Sequence, residues 1–238
     1  MNEQRDVAPH HVHVHWCAPG EQSPQAVERA ASILDLEERS RADRFVFNDD
    51  RNSYVVAHAL LRQVLAARLE VSPQVLSFER GAQGRPSLPA GTPGTSLSFS
   101  LSHTRTLVGC AISSAGVVGF DLEEIRVPAP LEVAERFSRA EQRDLRARPP
   151  NLRDEHFYAL WTLKEAYLKA RGLGLTLPLD AFSVAAAEGS SSLTAVPDDD
   201  TADWQLRSFR VGNHYGAVAR CEARSHLEVL LHRHTLAV

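Results

Sequence analysis

Cysteine is scarce in this sequence. Cys17, Cys110 and Cys221 stand far apart, and no CxxC occurs. An odd, scattered set excludes a disulfide framework and a thiolate zinc site, and it fits a reducing compartment. Cys110 and Cys221 lie in apolar, strand-like runs, which suits buried structural thiols better than a catalytic one. Long apolar runs are missing as well. No stretch reaches about 18 apolar residues, and the N-terminal MNEQRDVAPH is polar with no signal core. The expectation is a soluble, cytoplasmic protein with no membrane partner. There is no excess of positive charge either: the net charge is -4 with His neutral, which argues against a nucleic-acid partner. What remains is ordinary globular composition, 43% hydrophobic and 24% charged over 238 residues. That length suits one large domain or two small ones, each able to bury a core.

Along the chain, HHVHVHW alternates as a strand and puts His11, His13 and His15 on one face. A metal is conceivable there, but no second ligand cluster is near in sequence, so a solvated strand face is the simpler reading. SPQAVERAASIL has Ser23 placed as N-cap and Pro24 as first helical residue. NSYVVAHALLRQVLAARL reads as a long helix, and GAQGRPSLPAGTPGT as loop. SLSFSLSH, LVGCAIS and GVVGFDLE are strands, with a turn at SSAG. The order then recurs. FSRAEQRDL has the capping-box spacing of Ser138 and Glu141, and DEHFYALWTLKEAYLKARG is a second long helix ended by Gly172. DAFSVAAAEG is strand-like, EGSSSLTAVPDDDTAD is a polar excursion, and QLRSFRV and YGAVARC form a hairpin around Gly212 and Asn213. LEVLLHRHTL is placed to close a sheet. The fold expected is α+β, as two similar halves, each a long helix on a small antiparallel sheet. The seam falls near Ala115 to Gly119, giving units 1–116 and 117–238, with a ligand cleft between them.

Two stretches carry chemistry. In GFDLEE, Asp121 and Glu123 share one strand face about 7 Å apart, where two carboxylates repel each other unless a cation joins them. Alone, such a pair is usually a solvated strand end. In WTLKEAYLK, Glu165 and Lys169 share a helix face next to the apolar seam of Trp161 and Leu168. Alone, that is an ordinary helix-supporting pair. Together, three carboxylates and a lysine make a site for Mg²⁺ and phosphate, because phosphoryl chemistry needs mainly positioning and electrostatics. His103 ends the strand of SLSHTR and either binds phosphate or holds a turn. Arg85 in GRPSL and the pair Arg41 and Arg44, one turn apart, either face solvent or grip an anion.

As an ordered set these motifs resemble the surfactin-type 4'-phosphopantetheinyl transferases. The carriers of the resemblance are RADRFVF, GRP at 84–86, FSLSH at 99–103, GFDLE at 119–123, AERFSRAEQRDL at 134–145, WTLKEAYLK at 161–169 and LPLDAFSV. It runs from about Arg39 to Val184. It implies a pseudo-dimer of two α+β halves with coenzyme A in the cleft, working as a monomer. It implies transfer of the phosphopantetheine arm of coenzyme A to a serine of an apo acyl or peptidyl carrier protein, with release of adenosine 3',5'-bisphosphate. By the same resemblance Asp121, Glu123 and Glu165 are Mg²⁺ ligands, with Mn²⁺ as an alternative ion. Glu165 is also the general base, directly or through a water. Lys169 contacts the diphosphate and stabilises the leaving group, with Lys164 a weaker candidate for that role. His103, Arg41 and Arg44 serve the nucleotide phosphates, Arg85 and Pro86 the adenosine, and Ser102 is a secondary contact. Arg85 replaces a frequent lysine with its charge kept. Glu38 falls where some relatives place a basic phosphate contact. Arg136, Arg139, Arg143, Arg146 and Arg148 are a docking face for an acidic carrier or merely a soluble helix face. The competing classes are a Mg²⁺-dependent nuclease, which would need a broad basic groove, and a non-catalytic binder of coenzyme A or carriers, which the intact acid trio disfavours.

Overall fold

Short polar residues open three of the helices. Ser23 accepts the Ala26 N–H at 3.1 Å and starts α1 (Pro24–Ser32). Asp35 and Glu38 form a reciprocal capping box at α2 (Leu36–Ala42). Both devices satisfy N–H groups that a helix start leaves without a partner. The computed structural model describes residues 11–81, 84–92, 96–187, 190–197, 200, 202–222 and 226–236. The polar first ten residues lie outside these, as do parts of the Gly/Pro loop and of the 188–203 excursion.

The first strand, β1 (His11–Cys17), precedes these helices, and α3 (Asn48–Leu69) follows them with 22 residues. A two-residue ribbon, β2 (Glu79–Arg80) and β3 (Pro86–Ser87), leads into β4 (Ser98–His103) and β5 (Val108–Ser113). A bend at 114–116 carries the chain into β6 (Val117–Glu124). Next come α4 (Arg139–Ala147), opened by the Ser138–Glu141 capping box, and α5 (Pro150–Arg171), again 22 residues and ended by Gly172 at φ 67°. The remaining strands are β7 (Ser183–Ala187), β8 (Ser190–Ala195), β9 (Trp204–Val211), β10 (His214–Cys221) and β11 (Glu228–Arg233).

These strands form two main sheets. The first has the order β11-β1-β5-β4 and the second β6-β10-β9-β8-β7. In each, a long helix covers one face: α3 packs on β1, β4 and β5, and α5 on β6, β7, β9 and β10. One apolar core lies under α3 and another under α5. A third, built from Val12, Val14, Phe120, Leu122 and Val218, lies between the halves. LEVLLHRHTL does close a sheet, and it is the first one. β11 runs parallel to β1 at the edge of that sheet.

The repeat goes deeper than element order. Buried Glu38, in the first capping box, ion-pairs with buried Arg62 of α3 at 2.7 Å, and Arg62 also donates to the Leu76 carbonyl. Buried Glu141, in the second box, ion-pairs with buried Lys164 of α5 at 2.8 Å, and Lys164 also donates to the Phe182 carbonyl. Each half thus ties its short capped helix, its long helix and the segment beyond with one buried charge pair.

Candidate active site

The site begins with a glycine. A Cβ on Gly119 of β6 would lie 2.0 Å from the Ala166 carbonyl oxygen and 2.4 Å from the Ala170 nitrogen. Only a residue without a side chain lets the backbone of α5 approach this closely. Small Ala166 and Ala170 complete the contact. Glu165 and Lys169 are their immediate neighbours on α5, and Asp121 and Glu123 follow Gly119 at alternate positions on β6. The close approach therefore sets the three carboxylates and the lysine in one cleft.

The other wall comes from the first half. Ser98, Ser100 and Ser102 alternate on β4, and their hydroxyls accept the backbone N–H groups of Val118 at 2.9 Å, Phe120 at 3.0 Å and Leu122 at 3.2 Å. β4 and β6 are in different sheets, yet this row of hydroxyls stitches them edge to edge. It brings Ser102 and His103 to the carboxylates. A cavity of about 400 Å³ results, lined by Leu101, Ser102, His103, Asp121, Leu122, Glu123, Trp161, Glu165 and Lys169.

Inside it, Lys169 Nζ lies 2.7 Å from Asp121 Oδ1 and 3.0 Å from the Ser102 hydroxyl, which itself donates to Asp121 Oδ1 at 3.0 Å. The Trp161 indole N–H donates to Glu123 Oε1 at 3.1 Å. Asp121 is only 3% exposed, and its Oδ2 is buried without a hydrogen-bond partner. Burial, then the charges of Asp121 and Glu123, push the Glu165 carboxyl up to about 7 against the pull of Lys169. Burial and Asp121 raise Glu123 in the same direction.

Two family models fit the chain in tandem. The model described as "4'-phosphopantetheinyl transferase, N-terminal" matches residues 19–115, and that of the 4'-phosphopantetheinyl transferase superfamily matches 117–219. The 4'-phosphopantetheinyl transferase HetI of Nostoc sp. is 32% identical over 200 residues, 79% of this chain and 84% of that protein. The 4'-phosphopantetheinyl transferase Sfp of Bacillus subtilis is 31% identical over 202 residues, 84% of this chain and 87% of that protein. The chain belongs to the surfactin-type 4'-phosphopantetheinyl transferases.

In this member of the family the donor set suits a hard divalent cation. Three crowded carboxylates, one of whose buried oxygens has no hydrogen-bond partner, fit an oxygen-preferring cation such as Mg²⁺. Asp121, Glu123 and Glu165 are the residues that could hold such an ion.

The structure brings together Ser102, His103, Asp121, Glu123, Glu165 and Lys169. His103 lines the cleft as an exposed residue, with its ring edge-on to Tyr54 at 6.4 Å. Desolvation, then the charges of His58, Lys169 and Arg41, hold its pKa down to about 4. Arg41 is exposed near the end of α2, with its guanidinium 5.9 Å over the Tyr54 ring. Arg44 is exposed one turn on. Neither lines the cavity.

Three expectations need correction. Lys164 does not reach the cleft. It is fully buried on another face of α5, with Nζ 2.8 Å from both Glu141 oxygens and 2.9 Å from the Phe182 carbonyl. Neighbours in sequence on a helix point about 100° apart. Arg85 does not offer a free guanidinium. It spans the seam, donating to the carbonyls of Ala170 at 2.6 Å and Val118 at 2.9 Å and to the Ser98 hydroxyl at 3.1 Å. Pro86 sits beside it in β3. Glu38 is not an acid among phosphate contacts, because it is buried against Arg62 and His58.

Trp161 does more than line the apolar seam: its indole N–H holds Glu123, and its ring stacks on Phe137 and Phe157. Its place four residues before Glu165 was the available signal.

Proposed function

We propose that this chain is a Mg²⁺-dependent transferase that moves the phosphopantetheine arm of coenzyme A to a serine of an apo acyl or peptidyl carrier protein. Adenosine 3',5'-bisphosphate is the other product. One observation carries the reading: a strand and a helix, locked by Gly119, present Asp121, Glu123, Glu165 and Lys169 to a single cavity beside His103.

Mg²⁺ held by Asp121, Glu123 and Glu165 would neutralise the diphosphate of coenzyme A. The chain's own groups do the rest. Glu165 takes the proton from the incoming serine hydroxyl, directly or through a water. The serine oxygen bonds to the phosphorus that carries the pantetheine arm, and the bond from that phosphorus to the bridging oxygen breaks. Lys169 stabilises the negative charge that collects on the departing phosphate oxygen. Its flexible stem allows it to leave Asp121 for a phosphate. Neutral His103 becomes a cationic partner when a phosphate arrives, and Arg41 and Arg44 add positive potential on the same side.

In this reading residues 1–116 serve the nucleotide phosphates and residues 117–238 hold the metal and the catalytic groups, so one chain suffices in the cytoplasm. A second groove, which shares Glu123 and Trp161 with the cavity, is walled by Pro128, Pro130, Val133 and Phe157 together with the charged Glu124, Arg126 and Glu132, and gives the arm and the carrier's serine a mixed apolar and polar approach. Arg136, Arg139, Arg143 and Arg146 are exposed on and beside α4 and form a positive face for an acidic carrier.

The test is a mass spectrum of an apo carrier protein incubated with this protein, coenzyme A and Mg²⁺. The expected result is a gain of one phosphopantetheine group that EDTA prevents. Coenzyme A binding with no gain on several carrier types would overturn the transferase reading.

A further inference from the structure

The histidines of the first strand find partners 219 residues away. β1 presents His11, His13 and His15 on one face, and parallel pairing with β11 brings His232 and His234 alongside. His13 Nδ1 lies 2.9 Å from His232 Nε2, and His15 Nδ1 lies 2.7 Å from His234 Nε2. The rings of His15 and His232 stack at 4.7 Å. His13, His15 and His232 have ligand-competent atoms all within 4.8 Å of one another.

Two facts make this more than a polar patch. His15 is only 9% exposed, and the Nε2 atoms of both His13 and His15 are buried with no hydrogen-bond partner. Buried imidazole nitrogens without partners are costly. A neutral His15 that donates its Nδ1–H to His234 keeps Nε2 as a free lone pair, the arrangement by which an outer partner orients a metal-binding imidazole.

We propose that His13, His15 and His232 form a second metal site, for a borderline divalent transition metal of the zinc class, with His234 positioning His15. Imidazole donors select such ions, whereas hard Mg²⁺ prefers the carboxylates of the cleft. The surroundings bear on it from each side. Arg68 of α3 lies near His13, His15 and His232, and its guanidinium opposes a cation there. His11, the next ring along, is tied to Glu228 at 2.9 Å. The cluster sits at the β11–β1 edge of the first sheet, and the transferase cavity draws on β4 at the opposite edge. Its role is therefore structural: the ion clips the last strand of the chain to the first.

The experiment uses the full chain, stripped with chelator, given Zn²⁺ or Mg²⁺, passed through gel filtration and assayed for metal. Wild type should retain one equivalent of zinc at this site, and Tm should rise by about 5–10 °C at roughly 100-fold excess over Kd. His232→Gln should lose both effects, and Asp121→Asn should keep them. Zinc that stays with His232→Gln, or leaves with Asp121→Asn, places the ion elsewhere and overturns the proposal, as does no retained zinc. Imidazole ¹⁵N spectra of the wild-type protein read the same question without a variant. Zinc should shift the ring nitrogens of His13, His15 and His232, and unchanged resonances would overturn the site.

Discussion

Lys164 and Lys169 stand on the same helix with opposite work to do. Lys164 has no exposure and three hydrogen bonds inside the fold; Lys169 keeps 31% of its side chain exposed and faces the carboxylates. Removing one partner of a buried pair leaves the other charge uncompensated, at about 3–5 kcal/mol. Lys164→Met should therefore lower stability by about that amount in denaturant titration, with kcat per folded molecule nearly kept. Lys169→Ala should do the reverse, losing on the order of 100-fold in kcat with a small loss in stability. If Lys164→Met cuts kcat in fully folded protein as deeply as Lys169→Ala does, the assignment of roles is wrong. His103 gives a second test. Its folded pKa, about 4, is below the unfolded value of 6.5. So its contribution to stability is present above pH 6.5 and is lost as pH falls towards 4, because the unfolded chain takes up the proton first. A phosphate beside it reverses the preference. Coenzyme A binding at pH 6 should take up protons, seen as calorimetric heats that differ between buffers of different ionisation enthalpy. Identical heats in all buffers would remove His103 from the phosphate contacts.

At the scale of elements, the position of α5 on β6 decides the chemistry. Gly119→Ala would drive a methyl into the backbone of α5 at Ala166 and Ala170, which cannot rotate aside as a side chain can. A loss of about 1–3 kcal/mol is expected from overpacking, with a fall in kcat in the protein that still folds, because Glu165 and Lys169 move with the helix. Unchanged Tm and kcat would contradict the close approach. Much of this site was legible. The alternation of Asp121 and Glu123 on a strand and the four-residue step from Glu165 to Lys169 are local periodicities, and local periodicity survives in sequence. The strand SLSFSLSH was legible as a strand, but not the fate of its serines. An alternating polar face normally meets water, whereas here it is buried because β6 supplies unpaired N–H groups to it. The buried cations were hidden for a similar reason. Arg62 and Lys164 look like surface residues of long helices until their acids, 24 and 23 residues earlier, are seen to lie against them. The place of Arg85 is hidden likewise, since its acceptors belong to three separate elements.

For the molecule as a whole, the two halves are not independent in sequence even though each has its own sheet and core. The last strand returns across the second half to pair with the first strand, Leu227 and Leu236 are buried, and the His234 N–H bonds to the Trp16 carbonyl. The first and last described strands therefore belong to one sheet. A truncation before β11 removes nothing from the cavity, nor from β6, α5 or the core beneath α5. It does strip one side of β1 of its partner strand and exposes the apolar residues that β11 covers. Deleting residues 226–238 should accordingly loosen the first half, far from the cut in sequence, more than the second half beside it. Hydrogen exchange reads this directly. Amides of β1 should lose protection by several orders of magnitude in the truncated chain, while those of β6 and α5 keep most of theirs. Uniform loss across both halves would show a single cooperative unit held by the serine row and Arg85, and protection lost only in the second half would contradict the observed pairing of β11 with β1.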